Sequence, residues 1–263
     1  MDKKGLNQIY GDIRDIKIQG ATNIARAAIE AFYLSPSEKN KKKLISLRPT
    51  EPMLVNALNL VNHIPKDSIL AHFGFAQNKI NRFAFRVIDG KKKIYTHCHS
   101  TNVLNALIFA KKHGKNFEVY NTETRPLYQG RLTALELAKA GIKVTDFVDS
   151  AMDEAVKQSD LVLLGSDAIL KSGIINKIGS GAIAELAFMH KKPVYIIADS
   201  WKFSPRNVKI EERSFKEVWK NVPKHIKIRN PAFEMIDKKY IKGIVSELGV
   251  LSFDKFIKEV EKI

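Results

Sequence analysis

The feature that most constrains the fold is an alternation of strand-like and helix-like segments that begins near residue 70. Short apolar runs alternate with stretches whose apolar residues recur at helical spacing. Such an alternation is typical of right-handed crossovers between parallel strands, with helices on both faces of the sheet. The sequence therefore predicts an α/β fold with a Rossmann-like domain over residues 71–263. The predicted strands are KIYTHC, FEVYNTE, VTDFVD, LVLLGSD and PVYIIAD, and the helices between them are NVLNALIFAKKHG, TALELAKAG, MDEAVKQ and AIAELAFMHKK.

Residues 1–70 show only helical spacing and predict a small helical N-terminal domain. In the stretch ATNIARAAIEAFYL, apolar residues from Ile24 to Ala31 form one face, as in an amphipathic helix. Thr22 or Asn23 is expected to cap this helix. A second helix is predicted from about Met53 to His63, because the prolines of the preceding RPTEP segment interrupt any earlier helix.

Composition narrows the class of protein. Hydrophobic residues make up 44% of the 263 residues, which is enough for a packed core. No signal peptide and no run of roughly 20 apolar residues is found, so a cytoplasmic protein with no membrane partner is expected. The net charge of +16 fits nucleic acid, an anionic surface or an anionic substrate, and equally a lysine-rich solvated surface. A nucleic-acid partner is disfavoured, because the basic runs are short and no binding motif accompanies them.

Polar side chains follow the predicted strands at the point where each strand ends. Ligands of open parallel sheets bind beyond the carboxyl ends of the strands. Any one of these residues is explained as a helix cap, but five groups at one edge favour a functional site. The groups are Cys98 to Ser100, Glu123 to Arg125, Asp149, Asp167 and Asp199.

Cys98 and Asp167 carry the clearest chemistry. Cys98 is the single cysteine, which excludes an intrachain disulfide. Its place before a helix predicts a thiolate of low pKa, able to remove a proton next to a carbonyl. Asp167 follows an apolar strand, which is expected to raise the pKa of its carboxyl until it can donate a proton. Such a pair suits an isomerisation. His97 and His99 alternate along the strand, so at most one is expected to face the site.

Further residues offer binding groups for anions. Arg125, Arg131 and Lys177 are candidates for holding phosphate groups, and the amides of residues 179–181 precede a predicted helix. Lys202 could also reach an anion, but a surface lysine, as it is expected to be, usually does not. No GxGxxG follows a strand and no GxxxxGK[ST] is present, so no nicotinamide, flavin or ATP is predicted.

Several motifs, in a fixed order, resemble one superfamily. It contains ribose-1,5-bisphosphate isomerase, methylthioribose-1-phosphate isomerase and the alpha, beta and delta subunits of translation initiation factor 2B. The resemblance implies that Cys98 and Asp167 form a catalytic acid–base pair. It also implies an aldose–ketose isomerase that converts α-ribose 1,5-bisphosphate to ribulose 1,5-bisphosphate in archaeal AMP and nucleotide salvage. For this reaction the resemblance implies no cofactor and no metal. The motifs are QGATNIARAAIEAF, RPTEP, HCHS, TETRPLYQGRLTALEL, GSDAIL, INKIGSGAIAELA and NPAFE.

The resemblance also implies a set of substrate-binding residues. Two positions depart from the pattern, since relatives commonly have arginine where this chain has Gln19 and often lysine where it has Thr101. Both departures remove a positive charge from the expected bisphosphate site. Glu234 also stands where aspartate is more usual. The implied binding residues are Gly20, Ala21, Arg26, Arg48, Ser100, Arg125, Gln129, Arg131, Asn176 and Lys177.

Two other functions stay open at this point. The superfamily includes non-catalytic regulatory subunits that bind initiation factor 2, and a sugar-phosphate sensor without turnover is a third reading. The presence of Cys98 and Asp167 favours an enzyme, because regulatory subunits typically lack this pair. The resemblance implies a homo-oligomer, either a dimer or a hexamer built from dimers or trimers. Whether AMP acts as an effector is left open.

Overall fold

The computed structural model describes residues 3–15 and 17–263. Five helices form the N-terminal part of the chain. None of the helices in the described residues is long and apolar enough to cross a membrane. The five helices are α1 (Lys3–Arg14), α2 (Ala21–Leu34), α3 (Glu38–Leu47), α4 (Pro52–Asn59) and α5 (Lys66–Ile88).

Helices α2 and α4 correspond to the two predicted helices. In α2 the predicted apolar face is buried, but the helix begins one residue before Thr22, so neither Thr22 nor Asn23 caps it. The Asn23 amide instead donates back to the carbonyl of Gln19 at 3.1 Å. Helix α4 begins at Pro52, because the first turn of a helix tolerates proline. The helix ends at Asn59, four residues earlier than predicted. Helices α1 and α3 were not predicted.

Helix α5 joins the two parts of the molecule. Ile69 and Phe73, in its first half, pack in the core of the N-terminal helices. Ile80 and Ala84, in its second half, pack in a core on one face of the main sheet. The predicted division at residue 70 therefore falls inside a continuous helix whose two halves belong to different cores.

The remainder of the chain contains ten strands and five helices. The strands are β1 (Lys93–His97), β2 (Glu118–Thr122), β3 (Lys143–Phe147), β4 (Leu161–Leu164), β5 (Ala168–Leu170), β6 (Gly173–Lys177), β7 (Val194–Ile197), β8 (Phe233–Asp237), β9 (Gly243–Ser246) and β10 (Gly249–Leu251). The helices are α6 (Thr101–Lys112), α7 (Gln129–Lys139), α8 (Met152–Lys157), α9 (Ser180–Met189) and α10 (Phe253–Val260).

The main sheet has seven strands in the order β10-β9-β7-β4-β1-β2-β3. All pairs are parallel except β9 with β10. Every predicted strand and every predicted crossover helix is present, which confirms the α/β, Rossmann-like prediction. Separate hydrophobic cores cover the two faces, one with α5 and α6 and the other with α9 and α10.

A second, three-stranded antiparallel sheet was not predicted. It has the order β5-β6-β8 and pairs a short hairpin with a strand from much later in the chain. Because β5 and β6 follow the turn that carries Asp167, this sheet presents Asn176 and Lys177 next to the carboxyl edge of the main sheet.

Candidate active site

The chain turns sharply at the carboxyl end of β1. Cys98 has a left-handed backbone conformation with φ 66°, which breaks the alternation of the strand. As a result His97, Cys98 and His99 all line one cavity, so the prediction that at most one histidine faces it is wrong. Two hydrogen bonds hold this otherwise costly conformation. The Cys98 amide donates to Thr124 Oγ1 at 3.0 Å, and Thr133 Oγ1 donates to the Cys98 carbonyl at 2.8 Å.

The segment after β4 approaches the start of α6 closely. A Cβ atom at Gly165 would lie 2.5 Å from Ser100 Oγ, so glycine is required there. This close approach brings Asp167, which follows β4, to the same cavity as Cys98, which follows β1. The predicted pair is therefore brought together.

Two adjoining cavities meet at Cys98 and Asp167, and both are also lined by Gly20 and His99. They are narrow, with volumes of about 50 Å³ for the first and about 60 Å³ for the second. The first cavity extends along Ala21, Ser100, Thr101, Asn176 and Lys202. The second cavity extends along Gln19, Arg48, Glu51, Gln129, Lys177 and Arg213.

Burial raises the pKa of the Cys98 thiol to about 11. The charges of Lys177 and Arg213 and the His99 amide act in the opposite direction, but they do not offset the loss of water around the sulfur. Cys98 keeps part of its surface open to the cavities, while protein atoms surround it closely on the other sides. The prediction of a thiolate with a low pKa is therefore wrong.

The Asp167 carboxyl behaves as predicted. Burial raises its pKa, which favours the protonated form. Four cations oppose this effect, with Lys202 the strongest, followed by Arg48, Lys177 and Arg213. Asp167 is thus an acid held among positive charges, a setting in which it can give up a proton and take it back.

The first cavity is lined by backbone amides and hydroxyl groups and by one buried lysine. Gly20, with φ 84°, precedes Ala21 at the start of α2, and the cap position supplies no side-chain hydrogen bond to the first turn. The N–H groups of this turn are therefore available to an anion in the cavity. Lys202 is only 5% exposed, and its Nζ donates to Asn102 Oδ1 at 2.9 Å. The expectation of a surface lysine is wrong, because the turn after β7 points it inward.

The second cavity is lined mainly by charged side chains. Arg48 donates from Nη2 to Glu51 Oε1 at 3.0 Å and from Nε to Glu211 Oε1 at 3.2 Å. Burial raises the pKa of Glu51 to about 8 and lowers the pKa of Lys177. Gln129 Oε1 is buried and has no hydrogen-bond partner among the described residues. Because Arg48 is shared between two carboxylates, Lys177 is better placed to hold a bound anion.

Three predicted arginines lie outside both cavities. Arg26 is exposed on α2, and its guanidinium lies 4.9 Å from the centre of the Phe73 ring. Arg125 is also exposed. Arg131 is exposed too, and its Nη2 donates to Glu123 Oε2 at 2.6 Å. None of these three residues lines either cavity, and the prediction that they bind substrate stays a prediction.

The glycine amides that were predicted to bind an anion already have a partner. Glu234 Oε1 accepts hydrogen bonds from the amides of Gly179 at 2.6 Å and Gly181 at 2.9 Å. A carboxylate in this position repels a second anion, so the prediction is wrong. Asn176 donates from Nδ2 to Ser180 Oγ at 2.8 Å and still lines the first cavity.

In the described part of the chain, one cluster has the geometry of a metal site, and it lies outside both cavities. The ligand atoms of His72, Asp199 and Glu247 lie within 4.8 Å of one another. Their present contacts account for the cluster without an ion. Asp199 Oδ1 accepts from the Trp201 amide at 2.9 Å and from His72 at 3.1 Å, and Glu247 accepts from the Ser200 amide at 3.1 Å.

Comparison with known proteins identifies the family of this chain. A family model described as the Initiation factor 2 subunit family matches residues 66–253. The chain belongs to this family. The superfamily resemblance predicted from the sequence is thereby confirmed.

Individual members of the family are similar over nearly their whole length. The ribose 1,5-bisphosphate isomerase of Methanocaldococcus jannaschii is 36% identical over 280 residues, covering 94% of this chain and 91% of that protein. The crystal structure of translation initiation factor eIF-2B from Pyrococcus horikoshii has a TM-score of 0.86 at 25% identity, covering 96% of this chain and 98% of that one. The crystal structure of 5-methylthioribose 1-phosphate isomerase from the same organism has a TM-score of 0.78 at 25% identity, covering 98% of this chain and 87% of that one.

Sequence reasoning about this member of the family missed two residues that line the second cavity, Glu51 and Arg213. Glu51 lies in the RPTEP motif, so its position was noted although its carboxyl was not. Lys202 was misplaced despite a usable signal, since it follows β7 at the same sheet edge as Asp167. No local pattern marks Arg213, because residues 204–232 have neither helical nor strand periodicity.

Proposed function

We propose that this chain is an enzyme that converts a phosphorylated sugar between its aldose and ketose forms. Support comes from the M. jannaschii relative, which is named as an isomerase of this kind. The observation that carries the proposal is the position of Cys98 and Asp167 where two anion-binding cavities meet. Both cavities are narrow and adjoin each other at this pair, so we propose that a bisphosphate would span both.

The two phosphates would be held by different groups. In the first cavity, the amides at Gly20 and Ala21 and the Lys202 ammonium can hold one phosphate. In the second cavity, Lys177 with Arg48 can hold the other. The reacting carbons would then lie between them, beside Cys98 and Asp167.

The proposed chemistry needs only proton transfers. Asp167 donates a proton to the ring oxygen as the bond between C1 and that oxygen breaks. Cys98 acts in its thiolate form, a minor form that the charges of Lys177 and Arg213 favour against burial. This thiolate removes the C2 proton, and the electron pair of the C2–H bond forms a double bond between C1 and C2. The enol hydroxyl at C2 then returns a proton to the Asp167 carboxylate while the Cys98 thiol delivers its proton to C1, which gives the ketose and restores both groups. Substrate and product are isomers, so no electron acceptor is consumed.

For the substrate we propose α-ribose 1,5-bisphosphate, with ribulose 1,5-bisphosphate as the product. One phosphate at each end of a five-carbon sugar matches one anion-binding cavity on each side of the acid–base pair. A role in AMP salvage, AMP as an effector and assembly into a homo-oligomer belong to the same proposal. Light scattering with and without AMP tests the last two together.

Phosphorus NMR tests the proposal directly. The protein is mixed separately with α-ribose 1,5-bisphosphate, 5-methylthioribose 1-phosphate and ribose 5-phosphate, each with and without AMP. We expect new resonances of ribulose 1,5-bisphosphate from the first sugar only. Turnover of 5-methylthioribose 1-phosphate alone would reassign the substrate, and no turnover of any sugar would overturn the enzyme proposal.

A regulatory subunit is the second candidate function, because the P. horikoshii structure with a TM-score of 0.86 is named as a translation initiation factor. This function requires binding to initiation factor 2 and does not require Cys98. Capture of purified initiation factor 2 by the wild-type protein and equally by Cys98→Ser, without sugar turnover, would favour it over the isomerase.

A further inference from the structure

The segment 204–232 contributes Arg213 to the second cavity and is anchored to the turn between α3 and α4. Thr50 Oγ1 donates to the Lys209 carbonyl at 2.5 Å, and Glu211 accepts from Arg48 at 3.2 Å. Residues 211–213 also pair with residues 230–232 through two backbone hydrogen bonds, of 2.9 Å and 3.0 Å. The backbone that carries Arg213 is therefore held on two sides.

The Arg213 side chain has donor groups without partners. It is only 8% exposed, yet its Nε and Nη1 atoms form no hydrogen bond to any described residue. Its nearest carboxylate, Glu211, lies 3.8 Å from Nε and is already bonded to Arg48. Buried donors that lack a partner are unfavourable, and more so when they are charged. Such a group calls for an explanation, and a bound anion is one that a charged donor in a cavity suits.

The surroundings of Arg213 suit the binding of an anion. Its guanidinium lies 5.8 Å from the centre of the Phe233 ring, and the Lys177 ammonium lies 6.0 Å from the same ring. Both cations line the second cavity. Two cations beside one apolar ring offer a site for a doubly charged group such as a phosphate, although the carboxyls of Glu51 and Asp167 line the same cavity.

We infer that Arg213 is the residue that binds the second phosphate of the substrate and makes the enzyme select bisphosphates over monophosphates. This inference rests on the proposed isomerase function. A guanidinium with free Nε and Nη donors can bind a phosphate in bidentate fashion, which a lysine cannot. Gln19 lines the same cavity and carries no charge, so Arg213 supplies positive charge on that side.

The test compares Arg213→Met and Arg213→Lys with Arg229→Met as the matched control. Arg229 lies in the same segment but is exposed and paired with Glu212. Binding of α-ribose 1,5-bisphosphate and of ribose 5-phosphate is measured by calorimetry, and turnover by phosphorus NMR. We expect Arg213→Met to weaken bisphosphate binding about 100-fold and KM to rise similarly, with kcat changed much less. Arg213→Lys should recover part of the loss, and ribose 5-phosphate binding should change by less than about threefold.

The outcomes separate this inference from the proposed function. If the wild type binds the bisphosphate in an Arg213-dependent way but does not isomerise it, the proposed reaction fails and the assignment of Arg213 stands. If Arg213→Met binds the bisphosphate as tightly as the wild type, or if the wild type does not bind it, the assignment is overturned. Thermal melting identifies a variant that fails to fold. If Arg213→Met does not fold, the folded Arg213→Lys variant decides. The assignment is overturned if Arg213→Lys binds the bisphosphate as tightly as the wild type and keeps the same selectivity over ribose 5-phosphate.

Discussion

The two cavities that meet at Cys98 and Asp167 are lined by different chemical groups. The first consists mainly of the amides at the start of α2 and the hydroxyls near the start of α6, with one buried lysine. The second consists of arginine and lysine side chains together with Glu51. Both have similar volumes and share Cys98 and Asp167, so their chemistry, not their size, distinguishes the two cavities.

The difference has consequences for recognition. Backbone amides are fixed by the fold and hold an anion by position, so small steric changes there should disturb binding. Flexible cationic side chains hold an anion by charge, so the loss of one charge should weaken binding strongly and the effect should depend on salt. Substitutions at the shared centre should stop turnover without affecting either end.

Asp167→Asn should lower kcat by at least about 1,000-fold while substrate binding changes little. The amide cannot donate and recover the proton that ring opening requires, whereas the cavities at both ends stay intact. Phosphorus NMR gives kcat and calorimetry gives Kd. Asp254→Asn is the matched control, since that side chain is 77% exposed and lies outside both cavities. An Asp167→Asn enzyme with kcat within tenfold of wild type would remove Asp167 from the chemistry.

The Cys98 thiol should react slowly with iodoacetamide at neutral pH. With a pKa of about 11 the sulfur is almost fully protonated at pH 7. The thiolate fraction, and hence the alkylation rate, should rise about tenfold per pH unit and therefore about 100-fold from pH 7 to pH 9. Since the chain has one cysteine, mass spectrometry reports this residue alone. A rate that levels off below pH 8 would show that the thiolate forms readily and that burial does not control it.

Lys177→Met should raise KM about 50-fold through loss of a charge at the second cavity, with a much smaller change in kcat. The loss should shrink as salt is added, because the wild-type contact is itself partly screened. Lys171→Met, in the turn between β5 and β6, is the matched control because Lys171 is 59% exposed and pairs with Glu261. Equal KM values for the two variants would show that the second cavity does not bind by charge.

Gly20→Ala should have the smallest effect, raising KM about tenfold through displacement of the amides of the first cavity. The added Cβ would lie 3.4 Å from Thr101 Oγ1, and the φ of 84° is unfavourable for alanine. Gly114→Ala serves as the control, because it has a similar φ of 86° and no atom within 4 Å. Both variants should lose about 1–3 kcal/mol of stability, but only Gly20→Ala should alter KM. An unchanged KM would mean that these amides do not bind substrate.

Much of the first cavity could be predicted from the sequence, for a physical reason. Strand and helix periodicity identify the parallel sheet, and the carboxyl ends of parallel strands must meet at one edge. Cys98, Ser100 and Asp167 each follow a predicted strand and therefore could be placed together. The left-handed turn at Cys98 was not foreseen, because nothing in the local sequence shows that the Thr124 and Thr133 side chains hold it.

The second cavity could be predicted only in part. Arg48 and Lys177 were named from motifs, but Arg213 comes from a segment without periodicity whose position depends on contacts with the N-terminal helices. Charge alone is also a poor guide to the position of a side chain. Arg125 and Arg131 occur in a specific motif, yet both are exposed, whereas the buried Lys202 was taken for a surface residue. The pKa of Cys98 was mispredicted because burial is not visible in a sequence.

The most direct test of the central claim is the rate at which wild type and Cys98→Ser convert α-ribose 1,5-bisphosphate, followed by phosphorus NMR with equal amounts of folded protein. The proposed function predicts steady formation of ribulose 1,5-bisphosphate by the wild type and a rate at least about 1,000-fold lower for Cys98→Ser, with the substrate still bound. Conversion by Cys98→Ser at close to the wild-type rate would contradict the assignment of the thiol as the base.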